Sequence, residues 1–296
     1  MSNGSNTLHT DIRDLKRHSQ WKDILKRFKK RKIAVAGCIV VLILVVLAIL
    51  APVIAPYDYT AISPADKFQY PSLAHIFGTD NYGRDIFSRI LYGGRTSLLV
   101  ALLGCIISSV VGCVIGALAG FYGKWVDICM TRMVEILMSI PGIMLAVCVS
   151  ALLGNGIWQT ALAVSMGGIA PTALLLRSTI MSIREREYIE AAGAYGSSDF
   201  KIIMKHILPN CLAPIIIQTT LGLGSNILMI SGLSFIGLGV QPPIAEWGSM
   251  LNAGREVIRK FWPMVVYPGA AIAVTMLGFN LFGDGLRDAL DPKQKR

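Results

Sequence analysis

The side chains of this 296-residue sequence that could carry bond chemistry are badly spaced for it. A nucleophile and its base must sit within hydrogen-bond reach of each other, and the tempting pair is Ser234, in Gly232-Leu233-Ser234, with His206. On one continuous helix they lie about 42 Å apart at 1.5 Å per residue, near opposite faces of a membrane, so a hydrolase is not expected. The six cysteines, Cys38, Cys105, Cys113, Cys129, Cys148 and Cys211, show no CxxC spacing. Cys105 and Cys113 can share a helix face, but two thiols make a poor metal site, and the expected reading is small packing residues. No G-x-x-x-x-G-K-[ST] loop is present to cradle ATP phosphates: Gly123-Lys124 is followed by Trp125 and lacks the upstream glycine. Ion relay needs ionisable groups inside membrane spans. Arg132 and Glu135 come nearest, and an i,i+3 pair at the end of a span neutralises itself. No catalytic or metal-binding residue is assigned, and an ion-coupled secondary transporter is the alternative from a different class.

With 53% hydrophobic and 16% charged residues, the chain must hide several long apolar runs from water, which predicts an all-α polytopic membrane protein. The net charge of +10 sits largely beside apolar runs, without an aromatic-interleaved basic surface, so it reads as topology and not as nucleic-acid binding. Residues 1–32 form a basic segment in which Trp21, Ile24, Leu25 and Phe28 recur at helical spacing between Lys16 and Lys32, suited to the lipid headgroup region. Residues 33–55 supply an uncharged run able to cross a hydrocarbon core of roughly 30 Å. That run is too long, and its end too poor in small residues, for a cleaved signal. A polar extracytoplasmic loop, 56–96, leads to a core, 97–286, with five further apolar runs at about 97–120, 128–153, 157–176, 207–240 and 263–282. Six crossings bring both termini to one face. The N-terminal cluster, Lys124, Arg177, Arg184, Lys201, Lys205 and the tail 287–296 mark that face as cytoplasmic.

A polar insert at about 181–206 separates the fourth and fifth crossings. Arg184 to Tyr195 favours helix, Gly196-Ser197-Ser198 supplies a turn and an N-cap, and Asp199 to Ile207 resumes a helical pattern. Such a helix-turn-helix is too short to bury a core of its own, so its small face, Ala191, Ala192, Ala194 and Gly196, is expected to pack on another protein. In the loop 56–96, Gly78-Thr79-Asp80 can open a short interfacial helix on which Asp80/Arg84 and Asp85/Arg89 form acid-before-base i,i+4 pairs. These four residues are candidates for an external gate or for contact with a delivering protein. As exposed pairs they are worth about 0.2–1 kcal/mol each, so Arg89→Ala is expected to leave folding nearly intact. The run 207–240 exceeds one simple span and contains Pro209, Pro214, Gly222, Gly224 and Gly232, which predicts a broken or tilted helix. Its Ser225, Asn226, Ser231 and Ser234 are candidate pathway-lining groups. Pro141-Gly142 can bend the third span in the same way.

Glu190-Ala191-Ala192, followed after three residues by Gly196 and later by Leu208-Pro209, resembles the EAA loop of ABC-importer permeases. His206 departs from that pattern by occupying the usual hydrophobic position two places before Leu-Pro, with Ile207 one place later. Three more segments extend the likeness: GTDNYGRDIFSRILYGGRTSL at Gly78 to Leu98, GLSFIGLGVQPPIAEWGSML at Gly232 to Leu251 and FNLFGDGLRDALDP at Phe279 to Pro292. Together they resemble the C-type permease subunit of the bacterial dipeptide, oligopeptide and nickel ABC importers, over nearly everything after about Phe28.

That resemblance implies a type I ABC-importer permease architecture of about six transmembrane helices in the bacterial inner (plasma) membrane, surrounded by lipid. It implies a heterodimer with a B-type permease, two cytoplasmic ATPases that hold ATP and Mg, and an extracytoplasmic solute-binding protein. The ATPase-docking residues it implies are Glu190, Ala191, Ala192, Tyr195, Gly196, Ser197 and Asp199. The chain itself is expected to hold no cofactor and to convert ATPase movement into alternating access. Dipeptides or oligopeptides are the favoured cargo by resemblance, while nickel, a metal chelate or glutathione stays open because no residue reads out a ligand class.

The charge distribution predicts that an impermeant thiol reagent added outside intact cells labels a cysteine introduced at Ser72 and not one at Ser198. Labelling at Ser198 without labelling at Ser72 would invert the orientation.

Overall fold

In hydrocarbon, backbone N–H and C=O groups find partners only in one another, so long runs of Leu, Ile, Val and Ala with few charges must be helical. The computed structural model describes residues 26–290. The expected amphipathic stretch around Trp21, Ile24 and Leu25 and the end of the basic tail lie outside the described residues. Within them α1 covers Lys32–Ile49 and α2 is the single turn Ala51–Ile54. After the loop 55–85 come α3, Ile86–Tyr122, α4, Lys124–Met138, α5, Gly142–Leu153, and α6, Ile157–Arg184. The polar insert carries α7, Glu187–Ala194, and α8, Asp199–Ile202. A π-helical turn, Ile203–Ile207, runs into α9, Leu208–Phe235, and α10, Trp247–Gly254, precedes α11, Pro263–Leu290. Five of these segments are long and apolar enough to cross a membrane, and α4 with α5, bent by 87° across the break, makes a sixth, broken crossing. Pro141 stands at the N-cap of α5, where the missing N–H and fixed φ stop α4 from continuing.

Two boundaries differ from expectation. The separate interfacial helix does not exist: α3 begins at Ile86, with Asp85 as N-cap accepting from the Ser88 N–H at 2.7 Å, and runs on as the second crossing. Gly93-Gly94 does not interrupt it because the Trp247 indole lies across both glycines, where an added Cβ would come within 3.0 Å and 2.9 Å of the ring. The second helix of the polar insert is likewise no separate element. Asp199 to Phe235 is one continuous helical run, and the π turn in it has a local cause. Pro209 has no N–H for the Lys205 carbonyl and its ring crowds that carbonyl, while Asn210 Nδ2 donates to His206 O at 2.6 Å.

The bundle is organised along one seam. Gly104, Ser108, Gly112, Gly116 and Gly120 recur every fourth residue, forming one ridge of α3 with no bulk on it. Helix α6 lies parallel along this ridge. A Cβ added at Gly112 would come 2.9 Å from Ile169 O, at Gly116 2.5 Å from Ala173 O, and at Gly120 2.9 Å from Arg177 O. Gly168 returns the fit, since a Cβ there would meet Ser108 Oγ at 2.8 Å. Without a hydrophobic drive between helices in lipid, this close backbone approach is the main source of attraction.

Helix α1 runs antiparallel to α11, with Gly37 against Leu281 and Phe282 and with Ala34 against Gly285. Arg31 pairs with Asp288 at 3.0 Å and Phe28 meets the Phe282 ring edge-on at 5.8 Å. The first and last described residues therefore lie at the same end of the bundle. That end, which carries Lys124, Arg184, Lys201, Lys205 and Arg287, is called the basic end below. The loop 55–85 and the segment 236–262 lie at the opposite end, the loop end.

Because the seam has no room for a side chain, Gly116→Leu should destabilise the fold by about 1–3 kcal/mol or more, whereas Val114→Leu, on the exposed face of the same helix, should be near neutral. Thermal unfolding in detergent checks this, and equal melting temperatures for the two variants would refute the seam.

Candidate functional site

The polar insert is held at the basic end by two buried isoleucines. Ile189 of α7 and Ile202 of α8 enter a cluster with Leu176, Ile180 and Ile183 of α6, Ile207 and Cys211. Between them the chain turns sharply. Gly196 has φ +78°, its N–H bonds Gly193 O at 2.9 Å, and the Ser197 N–H bonds Ala192 O at 3.1 Å. This pattern of a left-handed residue after the last helical one, with paired 5→2 and 6→1 bonds, is a Schellman cap. Ser198 then sits at the N-cap of α8 without a side-chain capping bond. Glu190, Ala191, Tyr195, Gly196 and Asp199 are exposed, and Ala192 and Ser197 are half-buried. Tyr195 is 92% exposed, and Phe200 and Met204 also face outward. The turn is thus a small protruding knob whose tip is partly apolar and whose base is anchored in the bundle.

Beneath it lies a brace that sequence reasoning missed. Arg177 of α6 grips Asp127 of α4 with both ends of its guanidinium, through Nε on Oδ1 and through Nη2 on Oδ2 at 2.6 Å, and Thr131 Oγ1 adds a bond to Asp127 Oδ1 at 3.0 Å. Arg184 Nη1 donates to Phe121 O at 2.8 Å, tying the last turn of α6 to the end of α3. The one signal available in the sequence was an acid and a base each flanking an apolar run, Asp127 just before one and Arg177 just after the next; their pairing spans 50 residues. Arg132 and Glu135, by contrast, form the exposed i,i+3 pair expected, at 2.6 Å.

At the loop end the four candidate gate residues occupy one place, but inside the protein. Asp80 Oδ2 accepts from Arg84 Nε at 2.7 Å and lies 3.6 Å from Arg89 Nε, and its Oδ1 accepts from the Tyr82 and Arg84 N–H groups at 2.8 and 3.0 Å. Arg89, only 3% exposed, donates from Nη1 to Tyr59 O at 3.0 Å. Asp85 is divided between the N-cap of α3 and His75 Nδ1 at 3.0 Å. The expectation of exposed helical pairs is corrected on both counts: the Asp80/Arg84 pair closes a turn, and Arg89 pairs with Asp80, not Asp85. Gly83, with φ +75°, lets the turn close against Ser63, whose carbonyl oxygen lies 1.8 Å from where a Cβ would be. These charges hold the loop from inside and are not on its surface.

A second buried carboxylate was also missed. Glu246 is 0% exposed. It caps α10 by accepting from the Gly248 and Ser249 N–H groups, both at 2.8 Å, and takes the Ser97 hydroxyl of α3 at 3.1 Å. Burial pushes its carboxyl above the usual range, while these donors pull the other way. Trp247 Nε1 donates to Ile90 O at 2.9 Å, completing the clamp of α10 on α3.

The four candidate pathway residues do not share a surface. Ser225 is exposed, whereas Asn226, Ser231 and Ser234 are buried. Asn226 Nδ2 bridges to Ala101 O and Cys105 Sγ of α3 at 3.3 and 3.2 Å, and Ser231 Oγ bonds back to Ile227 O. Ser234 Oγ lies near Glu246 but outside hydrogen-bond geometry and has no partner. Of the four, only Ser225 lies on the surface of α9. Ser234 and His206 sit at opposite ends of the α9 run, and the six cysteines are free thiols, with Cys105 and Cys211 buried.

Residues 112–296 match the family model described as the binding-protein-dependent transport system inner membrane component, and residues 19–71 match the N-terminal transmembrane domain of oligopeptide transport permease C. The chain is 43% identical to a dipeptide transport system permease protein of Alkalihalophilus pseudofirmus, over 94% of this chain and 91% of that protein. It is 39% identical to a glutathione transport system permease protein of Pectobacterium atrosepticum, over 96% and 95% of the two chains. The corresponding glutathione permease of Escherichia coli O157:H7 is 41% identical over 93% and 91%.

Since Asp80 is the one carboxylate facing both Arg84 and Arg89, Asp80→Ala strands two buried cations and should cost about 3–5 kcal/mol. Arg89→Ala should also destabilise, though less, because Asp80 keeps Arg84. Yield of folded protein from membranes and its melting temperature in detergent give the order; wild-type behaviour of both variants would mean that the cluster does not hold the loop.

Proposed function

The chain belongs to the family of binding-protein-dependent transport system inner membrane components and is an ABC-importer permease, and from that premise we propose that it forms half of an ATP-driven pathway for short peptides. The observation that carries the proposal is the anchored knob at the basic end. Nothing in the sequence supplies a nucleotide-binding loop, so the driving motion must enter through a contact. The tip formed by Glu190, Ala191, Ala192, Tyr195, Gly196, Ser197 and Asp199 suits a groove on an ATPase subunit. The basic end, and with it both termini, is then cytoplasmic, in accord with the positive-inside rule.

The mechanical reading follows from the anchors. A push on the knob reaches α6 through Ile189 and the α9 run through Ile202. Helix α6 is locked to α3 by the small-residue seam, so these two move as one body, and the break between α4 and α5 provides a place to yield. A matching body is needed on the other side of the pathway, supplied by a B-type permease with its own knob, and the pair takes two ATPases holding ATP and Mg. A solute-binding protein delivers cargo at the loop end. The relatives named for dipeptide and glutathione transport favour short peptides as that cargo, with a nickel or metal-chelate cargo as the alternative that ligand identification from the copurified binding protein would reveal.

Gly196 supplies the test. Its left-handed backbone makes any side chain cost about 1 kcal/mol locally, with open space around a Cβ in the isolated subunit. Gly196→Asp should therefore insert and copurify with its partner permease, yet lose ATPase association and ATP-driven uptake in proteoliposomes, with Glu190→Ala milder. Normal transport by Gly196→Asp with the ATPases still bound would remove the knob as the coupling element.

A further inference from the structure

A groove of about 480 Å³ opens between α1, α3, α9 and α11. Along α3 its wall runs from Arg95 through Leu98 to Leu102, and along the facing α1 from Ile49 to Val41, while Phe279 of α11 closes part of its floor. Every side chain lining it is apolar except Arg95, which is exposed and has no acidic partner among the described residues. Because α3 starts at Ile86, Arg95 stands at the mouth nearest the loop end and Leu102 lies deeper in the bundle. The flanking faces, with Leu42 and Val46 on α1 and Leu99 and Ile106 on α3, are exposed and apolar, so the groove opens on an apolar surface.

We propose that this groove binds the acyl chain of an anionic phospholipid whose phosphate is held by Arg95. Charge complementarity selects the headgroup, since a guanidinium at the headgroup side of an apolar slot, without an acidic partner among the described residues, suits a phosphodiester. Apolar walls select the tail. From Arg95 to Leu102 the slot is about 10 Å long at 1.5 Å per residue, and its walls below Arg95 are apolar throughout. An acyl chain is the apolar group that a phosphate held at Arg95 would carry into it. The site is independent of peptide transport: it would fasten α1, which contributes few buried residues of its own, to the α3–α6 core.

The test uses the full chain copurified with its partner permease, delipidated in mild detergent, with dioleoyl phosphatidylglycerol or dioleoyl phosphatidylcholine added and retained lipid counted by native mass spectrometry. Wild type should retain phosphatidylglycerol in preference to phosphatidylcholine. Arg95→Gln should lower phosphatidylglycerol retention about fivefold, the change expected for one cation at an anionic headgroup, without affecting phosphatidylcholine. Leu99→Trp, at an exposed wall position that should not disturb folding, should lower retention of both. Undiminished phosphatidylglycerol retention in both variants overturns the proposal, as does efficient cross-linking of a cysteine at Leu102 to the partner permease, which would make the groove a protein interface.

Discussion

The close approach of α3 and α6 sets the geometry of everything else in this subunit. Membrane helices gain little by hiding apolar surface from lipid, so they associate where backbones can touch, and five small residues at four-residue spacing give α3 one edge where they can. The helices on either side are then referenced to that pair. Asp127–Arg177 ties α4 to α6, Asn226 ties α9 to α3, and Glu246 with Trp247 ties α10 to α3. Removing bulk from a ridge thus does what burying bulk does in a water-soluble core. It creates the one contact that fixes the relative position of two long elements, and it makes them a single lever between the ends of the bundle.

Charges in the chain fall into two groups that look alike in sequence. Those at the basic end are mostly exposed and report which way the protein sits. Asp80, Arg84, Asp85 and Arg89 at the loop end, and Glu246, are enclosed and satisfied by their neighbours, so that they act as fasteners. Asp80 illustrates the difference, since one carboxylate serves two guanidinium groups and two backbone N–H groups. In a small loop without a hydrophobic core such a group replaces the missing apolar packing, aided by Phe68 and Tyr70 against Phe261 and by Phe77 stacked on Tyr267 at 4.1 Å. The price is that each such group depends on all its partners being present.

The protruding knob at the basic end joins the two themes. Its outer surface is set locally, by a Schellman cap that needs only the five or six residues of the turn. Its usefulness depends on Ile189 and Ile202, which connect that turn to the α6 and α9 runs. The knob is thereby continuous in packing with two helices long enough to cross a membrane.

The sequence by itself determined the helical class, the number of apolar crossings, the bend at Pro141, the turn at Gly196 and the family of ABC-importer permeases. Each rests on periodicity, composition or a residue's own conformational limits, and those act over a few neighbours along the chain. Only the tertiary structure decided that Asp80, Arg84, Asp85 and Arg89 are buried, because an i,i+4 acid–base spacing reads the same on a wet helix as in a closed turn. It alone showed that α3 absorbs the interfacial stretch, since Gly93 and Gly94 end a helix in isolation and hold one when the Trp247 ring covers them. Asn226, Ser231 and Ser234 read as pore-lining residues until the α3 and α10 neighbours that enclose them were in place. In each case the deciding atom came from a residue distant in sequence, and burial is a property of neighbours that spacing along one helix does not carry.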